Sequence, residues 1–142
     1  MNKLKLLIVE DDKSLLDLYD IAIPDDIFEK RLADTGDMAI ETYNGWNPDI
    51  IVLDIMLPGR SGFSILEEIR VGREDQRTVI VMSTSLDRKS DISKCTDLNI
   101  QGYIVKPFDH KQIARDIIDF YSSSYPEKGR EAMNELDKGA NI

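Results

Sequence analysis

Acidic, hydroxyl and amine side chains follow apolar runs at several points along the chain. Glu10 and Asp11 follow the run Leu6–Val9, and Asp54 follows the run Asp49–Leu53. Thr84 comes two residues after the run Thr78–Met82, and Lys106 follows the run Gly102–Val105. If these runs are parallel strands and the first and third are neighbours, the three carboxylates converge at one sheet edge and repel one another. A hard divalent cation relieves that repulsion, and Mg²⁺ is favoured because it accepts a few carboxylates while keeping water and substrate oxygens as ligands.

These residue types together suit phosphoryl transfer. Asp54 supplies a carboxylate nucleophile, while a metal ion, the Lys106 ammonium and the Thr84 hydroxyl stabilise the charged phosphoryl oxygens. The predicted product is an aspartyl phosphate on Asp54. Each residue also has a simpler interpretation, because an Asp at a strand end is often a turn residue, a Thr can begin a helix, and a lysine before a turn is often solvated.

Strand-like and helix-like patterns alternate five times along the chain, which predicts one α/β domain with helices covering a parallel sheet. The run Ile50–Leu53 is the most apolar and is predicted to be a central strand covered on both faces. Asp12 is expected to cap the first helix, which leaves Asp11 to act as a ligand, and Ser61 is expected to cap a later helix. The fourth helix, over about residues 88–98, has a thin apolar face and is expected to be the least firmly anchored.

The end of the chain differs in composition from the rest. Asp109 is expected to cap the last helix, and the predicted division is a folded domain over residues 1–122 and a polar tail over 123–142. Within the tail, Ala132, Met133 and Leu136 are apolar at helical spacing. We therefore expect the tail to be partly helical or disordered.

Composition excludes several classes of protein. The 142 residues suffice for one ordinary domain, and the net charge of −9 argues against general binding to nucleic acid, which uses concentrated Lys and Arg. No apolar run approaches the roughly 20 residues that a membrane-spanning helix needs. The single cysteine, Cys95, cannot form an internal disulfide, which agrees with a reducing compartment, and a cytoplasmic location is expected.

Four segments resemble a known family. They are Ile8–Asp12 (IVEDD), Leu53–Gly59 (LDIMLPG), Ser83–Ser85 (STS) and Tyr103–Phe108 (YIVKPF). Through these segments the chain, from about Lys3 to Tyr121, resembles the receiver domains of two-component response regulators, in the CheY-like superfamily. The resemblance implies a flavodoxin-like, doubly wound (βα)5 fold with five parallel strands in the order 2-1-3-4-5. It also implies a phosphoacceptor that catalyses its own phosphorylation, rather than an enzyme.

The resemblance further implies roles for single residues. Asp54 is expected to accept the phosphoryl group, and Thr84 and Lys106 are expected to hold it. Tyr103 is expected to be a switch aromatic that turns inward when Thr84 moves, although a tyrosine in a strand ordinarily fills the core. The bond between Lys106 and Pro107 is expected to be cis, which is affordable only before proline.

A Mg²⁺ site is the expected cofactor site. By the resemblance, Asp11 and Asp54 are direct ligands, Glu10 is a ligand or a water-mediated partner, and Met56 contributes its backbone carbonyl. The expected phosphodonor is a sensor histidine kinase or a phosphotransfer protein. The expected output face, toward an effector or a second copy in a homodimer, comprises the fourth helix, the fifth strand and the last helix. No contact with a membrane is expected.

Two other functions compete with this one. A Mg²⁺-dependent phosphohydrolase would use Asp54 as a transient nucleophile, but Met56 stands two residues later, where such enzymes usually carry a second acid. A binding module with a vestigial acidic site is the third hypothesis. Met56 and Leu86, two residues past Asp54 and Thr84, are apolar and cannot activate water, so the phosphorylated form is expected to lose its phosphate slowly.

Overall fold

A parallel sheet forms the centre of the molecule. The structure, a computed structural model, describes residues 1–140, except the side chains of Leu86, Asp87, Lys89 and Ala140. The strands are β1 (Leu4–Val9), β2 (Phe28–Ala33), β3 (Ile50–Asp54), β4 (Val79–Ser85) and β5 (Gly102–Lys106). They pair in parallel in the order β2-β1-β3-β4-β5, which confirms the predicted flavodoxin-like fold.

Helices cover both faces of this sheet. They are α1 (Lys13–Ala22), α2 (Gly36–Trp46), α3 (Gly62–Glu67), α4 (Ile92–Thr96), α5 (Ile113–Ser122) and α6 (Pro126–Ala140). A π-helical turn over Glu68–Gly72 continues α3, and a 3₁₀ turn over Leu86–Asp91 precedes α4. No helix within residues 1–140 has both the length and the apolar character needed to cross a bilayer.

Side-chain caps begin the helices near the carboxyl ends of the strands. The Asp12 carboxylate accepts a hydrogen bond from the Leu15 amide at 3.1 Å, and the Ser61 hydroxyl accepts one from the Ser64 amide at 3.1 Å. Such caps satisfy amides that have no partner within the helix. The predicted caps Asp12 and Ser61 are confirmed, and Asp11 is not used as the cap of α1.

The sheet has a hydrophobic cluster on each face. One cluster joins the sheet to α1, α5 and α6, and the other joins it to α2, α3 and α4. The β3 residues Ile50–Leu53 contribute to both and are at most 1% exposed, as predicted for a central strand. Burial on both faces fixes the depth of β3 and therefore the position of Asp54 at its end.

Three element boundaries differ from the predictions. β4 includes Thr84 instead of ending before it, because Thr84 pairs with Val105 of β5. The fourth helix is α-helical only over Ile92–Thr96, since its inward face offers little apolar surface beyond Ile92 and Cys95. α5 begins at Ile113 and Asp109 is not its cap, because the four residues from Asp109 form a turn in which the Asp109 carbonyl accepts the Ile113 amide at 3.0 Å.

The polar end of the chain forms a packed helix. In α6, Ala132 is fully buried, and Met133 and Leu136 pack against the cluster that contains α1 and α5. A Cβ atom added to Gly129 would lie 2.0 Å from the Ser122 hydroxyl oxygen, so α6 approaches α5 too closely for a larger residue there. The three apolar positions that indicated helical character are the ones that pack.

Asp75 lies just before β4, at the amino-terminal end of that strand, and its hydrogen bonds predict how the stability of the protein depends on pH. Its carboxylate accepts hydrogen bonds from the Tyr43 and Thr78 hydroxyls, each at 2.6 Å, and from the amides of Arg77 and Thr78. Burial alone would raise the pKa of Asp75, but the hydrogen bonds from Thr78 and Tyr43 lower it from 3.8 to about 2. Because the folded-state pKa is the lower one, the stabilisation is present above about pH 4 and is lost as the pH falls toward about 2.

The check compares thermal unfolding of the wild type with that of Asp75→Asn. At pH 6 the variant is expected to melt at the lower temperature, and the difference is expected to shrink between about pH 4 and pH 2. A melting difference that stays constant over this range would contradict the assignment.

Candidate functional site

The carboxyl ends of β1, β3 and β5 bring three charged side chains into contact. The Lys106 Nζ lies 3.0 Å from Glu10 Oε1 and 3.0 Å from Asp54 Oδ2. Glu10 is 1% exposed and Asp54 is 3% exposed, so both carboxylates lie away from bulk water. Glu10 is 96 positions and Asp54 is 52 positions from Lys106 in sequence, and the parallel sheet places them together.

Asp11 completes an acidic cluster, defined here as Glu10, Asp11 and Asp54. One carboxylate oxygen from each residue lies within 4.8 Å of the others, and Asp11 is the exposed member. Among the described side chains, the ion pairs of this cluster are those that Lys106 forms with Glu10 and Asp54, so three carboxylates share one ammonium group and negative charge is in excess. An all-oxygen donor set with one side open to solvent suits Mg²⁺, which keeps part of its water shell. The residues present therefore fit a magnesium ion.

Burial and neighbouring groups shift the pKa values of Glu10, Asp11 and Lys106. Burial, followed by contact with Asp54, raises the pKa of Glu10. Burial and the neighbouring Glu10 likewise raise the pKa of Asp11. Burial by itself lowers the pKa of Lys106, but the hydrogen bond with Glu10 and the charge of Asp54 raise it above its usual value. A cation that binds the acidic cluster would relieve this crowding of negative charge.

Backbone amides bind the carboxylate oxygens of Asp54 and Glu10 that Lys106 does not contact. Asp54 Oδ1 accepts the Met56 amide at 3.0 Å, while the Asp12 amide donates to Glu10 Oε2 at 3.1 Å. The role of the Met56 carbonyl as a ligand stays a prediction. The peptide bond between Lys106 and Pro107 is cis, as expected.

Thr84 and Tyr103, the two predicted switch residues, lie on β4 and β5. Thr84 is 1% exposed, and its hydroxyl donates to the Ser85 carbonyl at 3.3 Å, so in this structure it is not directed to the acidic cluster. Tyr103 is 40% exposed on β5 and does not fill the core. The structure therefore places Thr84 one residue after the strand partner of Asp54, with its hydroxyl engaged elsewhere, and places Tyr103 in an exposed position on β5.

Sequence reasoning missed three residues around Asp54. Ser83 pairs with Asp54 across β3 and β4, and its hydroxyl shares a hydrogen bond with the buried Tyr19 hydroxyl at 3.3 Å. Gly62 lies against the Asp54 carbonyl, where an added Cβ would be 2.0 Å from that oxygen. A serine inside a buried strand was the available signal, because a buried hydroxyl needs a hydrogen-bonding partner.

Known proteins share this fold and these segments. Residues 6–118, well over half of the chain, match the family model of the response regulator receiver domain. Similar solved structures include the Vibrio cholerae chemotaxis response regulator CheY4, with 22% identity, a TM-score of 0.76, and coverage of 84% of this chain and 99% of that one. The Brucella abortus NtrX receiver domain has 24% identity, a TM-score of 0.75, and coverage of 84% and 99%.

A third similar structure is a CheY-like receiver domain protein from Methanospirillum hungatei. It has 21% identity and a TM-score of 0.78, and the match covers 89% of this chain and 99% of that one. At such identities the structural likeness establishes the fold alone, whereas the family match covers the segments that carry the acidic cluster and Lys106. The chain belongs to the family of response regulator receiver domains, which are phosphoacceptor signalling domains of two-component systems and not classical enzymes.

Proposed function

We propose that this chain is a signalling switch in which Asp54 accepts a phosphoryl group in a Mg²⁺-dependent reaction. The observation that carries the proposal is the buried Asp54 carboxylate, held 3.0 Å from the Lys106 ammonium and grouped with Glu10 and Asp11. Mg²⁺, when bound by the acidic cluster, supplies positive charge to the transferring phosphoryl oxygens. The phosphodonor we propose is the phosphohistidine of a sensor kinase or phosphotransfer protein in the cytoplasm.

The residues of the site divide the work of the transfer. The Met56 amide and the Lys106 ammonium hold the two oxygens of Asp54, so the carboxylate is oriented before the donor arrives. An Asp54 oxygen forms the new bond to phosphorus while the bond between phosphorus and the donor's imidazole nitrogen breaks. Lys106 then pairs with a phosphoryl oxygen as negative charge moves away from the carboxylate.

The switch follows from the position of the Thr84 hydroxyl. We propose that this hydroxyl leaves the Ser85 carbonyl and donates to the phosphoryl group, and that Tyr103 then turns inward from its exposed position on β5. The altered surface comprises α4, β5 and α5, and it contacts an effector or a second copy of the chain. α6 packs against α5 at Arg115 and Ser122, and Asp116 and Asp119 of α5 stay exposed. Phosphorylation thus biases a two-state surface.

Intact mass measurement after incubation with Mg²⁺ and acetyl phosphate tests the proposal. The wild type is expected to gain one phosphoryl group, and Asp54→Asn is expected to gain none. Asp116→Asn, which removes an exposed carboxylate outside the acidic cluster, is the matched control and is expected to behave as the wild type. Chelation of the metal is expected to stop the reaction.

Other outcomes favour the competing functions. Continuous release of phosphate, with no stable adduct, would support a phosphohydrolase and contradict the switch. No reaction at all in the presence of Mg²⁺ would support a binding module with a vestigial site.

The phosphorylated form is expected to be long-lived. The Met56 side chain is 50% exposed, lies two residues after Asp54 and has no group that could orient an attacking water. The prediction also named Leu86, whose side chain lies outside the described residues. Met56→Asn is expected to shorten the half-life of the phosphoprotein by about tenfold, since an amide at this position can orient water. Decay of the phosphorylated mass after removal of donor measures it, and a wild-type half-life of seconds would contradict the prediction.

A further inference from the structure

Tyr19 is a buried polar residue that contacts Ser83, the strand partner of Asp54. Its side chain is 1% exposed on the inner face of α1. Its hydroxyl shares a hydrogen bond with Ser83 Oγ at 3.3 Å, and its ring stacks on Phe108, with 4.5 Å between ring centroids and 27° between ring planes. One side chain thus contacts both the strand on one side of Asp54 and the loop that follows Lys106.

The first contact leads to the strand that borders Asp54. Ser83 pairs with Asp54 in the register of β3 and β4, and the Ser83 carbonyl accepts the Ile55 amide at 3.0 Å. The next residue is Thr84, whose hydroxyl we assign to the phosphoryl group. A shift of Ser83 would therefore move the backbone on both sides of the reacting carboxylate.

The second contact leads to the ammonium group of the site. Phe108 lies two residues after Lys106, whose Nζ contacts both Glu10 and Asp54. The Tyr19 hydroxyl is close enough to these carboxylates that their charges add to burial, the largest cause, in raising the pKa of Tyr19. The phenol is therefore protonated at neutral pH and available to hydrogen-bond with Ser83.

On the basis of the proposed function, we propose that Tyr19 is a positioning residue for phosphoryl transfer, holding Ser83 through its hydroxyl and the Lys106 loop through its ring. A residue that served only to fill the core would not need the hydroxyl, and burying a hydroxyl is unfavourable unless it is hydrogen-bonded. The hydrogen bond with the Ser83 hydroxyl offsets the unfavourable burial of the Tyr19 hydroxyl. Tyr19 touches no reacting atom, and it acts through Ser83 and Phe108.

Two substitutions separate the hydroxyl from the ring. Tyr19→Phe keeps the stack on Phe108, and we expect it to lower the phosphorylation rate at saturating Mg²⁺ and acetyl phosphate by about threefold, because a small misplacement slows an oriented reaction. Tyr19→Leu also removes the stack, and the expected loss is about thirtyfold. The acetyl phosphate concentration at half-maximal rate and the Mg²⁺ affinity are expected to change by less than about twofold, because the acidic cluster and the exposed mouth of the site are untouched.

Tyr43 provides the matched control. It is also a buried tyrosine whose hydroxyl is hydrogen-bonded, to Asp75 at 2.6 Å, but it lies at the opposite end of the sheet. Tyr43→Phe and Tyr43→Leu are expected to lower the unfolding temperature and to leave the phosphorylation rate within about twofold of the wild type. All rates are measured below the unfolding temperature of every variant used.

The hydrogen bond itself is tested by a double-mutant cycle. Ser83→Ala is expected to reproduce the loss seen in Tyr19→Phe, and the double variant is expected to be no slower than either single one. This cycle decides the proposal even if Tyr19→Leu does not fold. Additive losses in the cycle, a wild-type rate in folded Tyr19→Leu, or an equal loss in folded Tyr43→Leu would each overturn the proposal while leaving the proposed function intact. A wild-type protein that takes up no phosphate would overturn both.

Discussion

Lys106→Met is expected to lower the free energy of unfolding by about 3 kcal/mol in metal-free buffer at pH 7, because it removes the partner of two buried carboxylates. Methionine has a similar length but no charge, so Glu10 and Asp54 would remain side by side without the ammonium that now lies 3.0 Å from each. The phosphorylation rate is expected to fall by about a hundredfold, since a fixed positive group aimed at the transferring oxygens is lost.

Urea unfolding with and without Mg²⁺ measures the stability effect. A bound cation takes over part of the neutralisation, so saturating Mg²⁺ is expected to restore part of the lost stability of Lys106→Met. Lys111→Met, which removes an exposed lysine five residues later, is the control and is expected to unfold within about 0.5 kcal/mol of the wild type. Equal stabilities of the Lys106 and Lys111 variants in metal-free buffer would contradict the electrostatic account of the site.

Gly62→Ala is expected to cost about 3 kcal/mol of stability, near the upper end for overpacking, because the obstructing atoms belong to the backbone. The added Cβ would lie 2.0 Å from the Asp54 carbonyl oxygen and 2.9 Å from Ile55 Cα. The Gly62 amide also donates to the Ile55 carbonyl at 2.8 Å, so α3 cannot move away without breaking this bond. The end of β3 would have to shift, and we expect phosphorylation of Asp54 to slow as well.

Gly45 offers the matched comparison for this glycine. It lies within α2, and an added Cβ would meet no atom within 4 Å. Gly45→Ala is expected to stabilise the protein by about 0.5 kcal/mol or more, because alanine is the better helix former and loses less backbone entropy. If urea unfolding showed that Gly62→Ala is as stable as Gly45→Ala, the close approach of α3 to Asp54 would be refuted.

The sheet and the acidic cluster were predictable from the sequence for a physical reason. A central parallel strand is buried on both faces, so its sequence is almost wholly apolar, and the polar residues at its end stand out. Ile50–Leu53 followed by Asp54 shows this pattern, and the ends of neighbouring parallel strands necessarily share one edge. The contacts of Lys106 with Glu10 and Asp54 follow from that topology.

The contacts that could not be predicted depend on packing between distant segments. The Tyr19 and Ser83 hydroxyls are 64 residues apart, so no local sequence pattern indicates that they meet. The direction of the Thr84 hydroxyl depends on local strand geometry, since it donates to the adjacent Ser85 carbonyl. The bounds of α4 depend on how much apolar surface that helix can bury, and the start of α5 depends on the turn that begins at Asp109. Periodicity alone determines neither boundary.

Chemical trapping of the phosphorylated residue tests the central claim most directly. Borohydride reduces an acyl phosphate to an alcohol with release of phosphate, so treatment after incubation with Mg²⁺ and acetyl phosphate marks the phosphorylated carboxyl group permanently. Peptide mass spectrometry is expected to find the reduced side chain at Asp54 alone, and to find none when Mg²⁺ is chelated beforehand. Reduction at Glu10 or Asp11 instead, or the absence of any reduced carboxyl group, would contradict Asp54 as the phosphoacceptor.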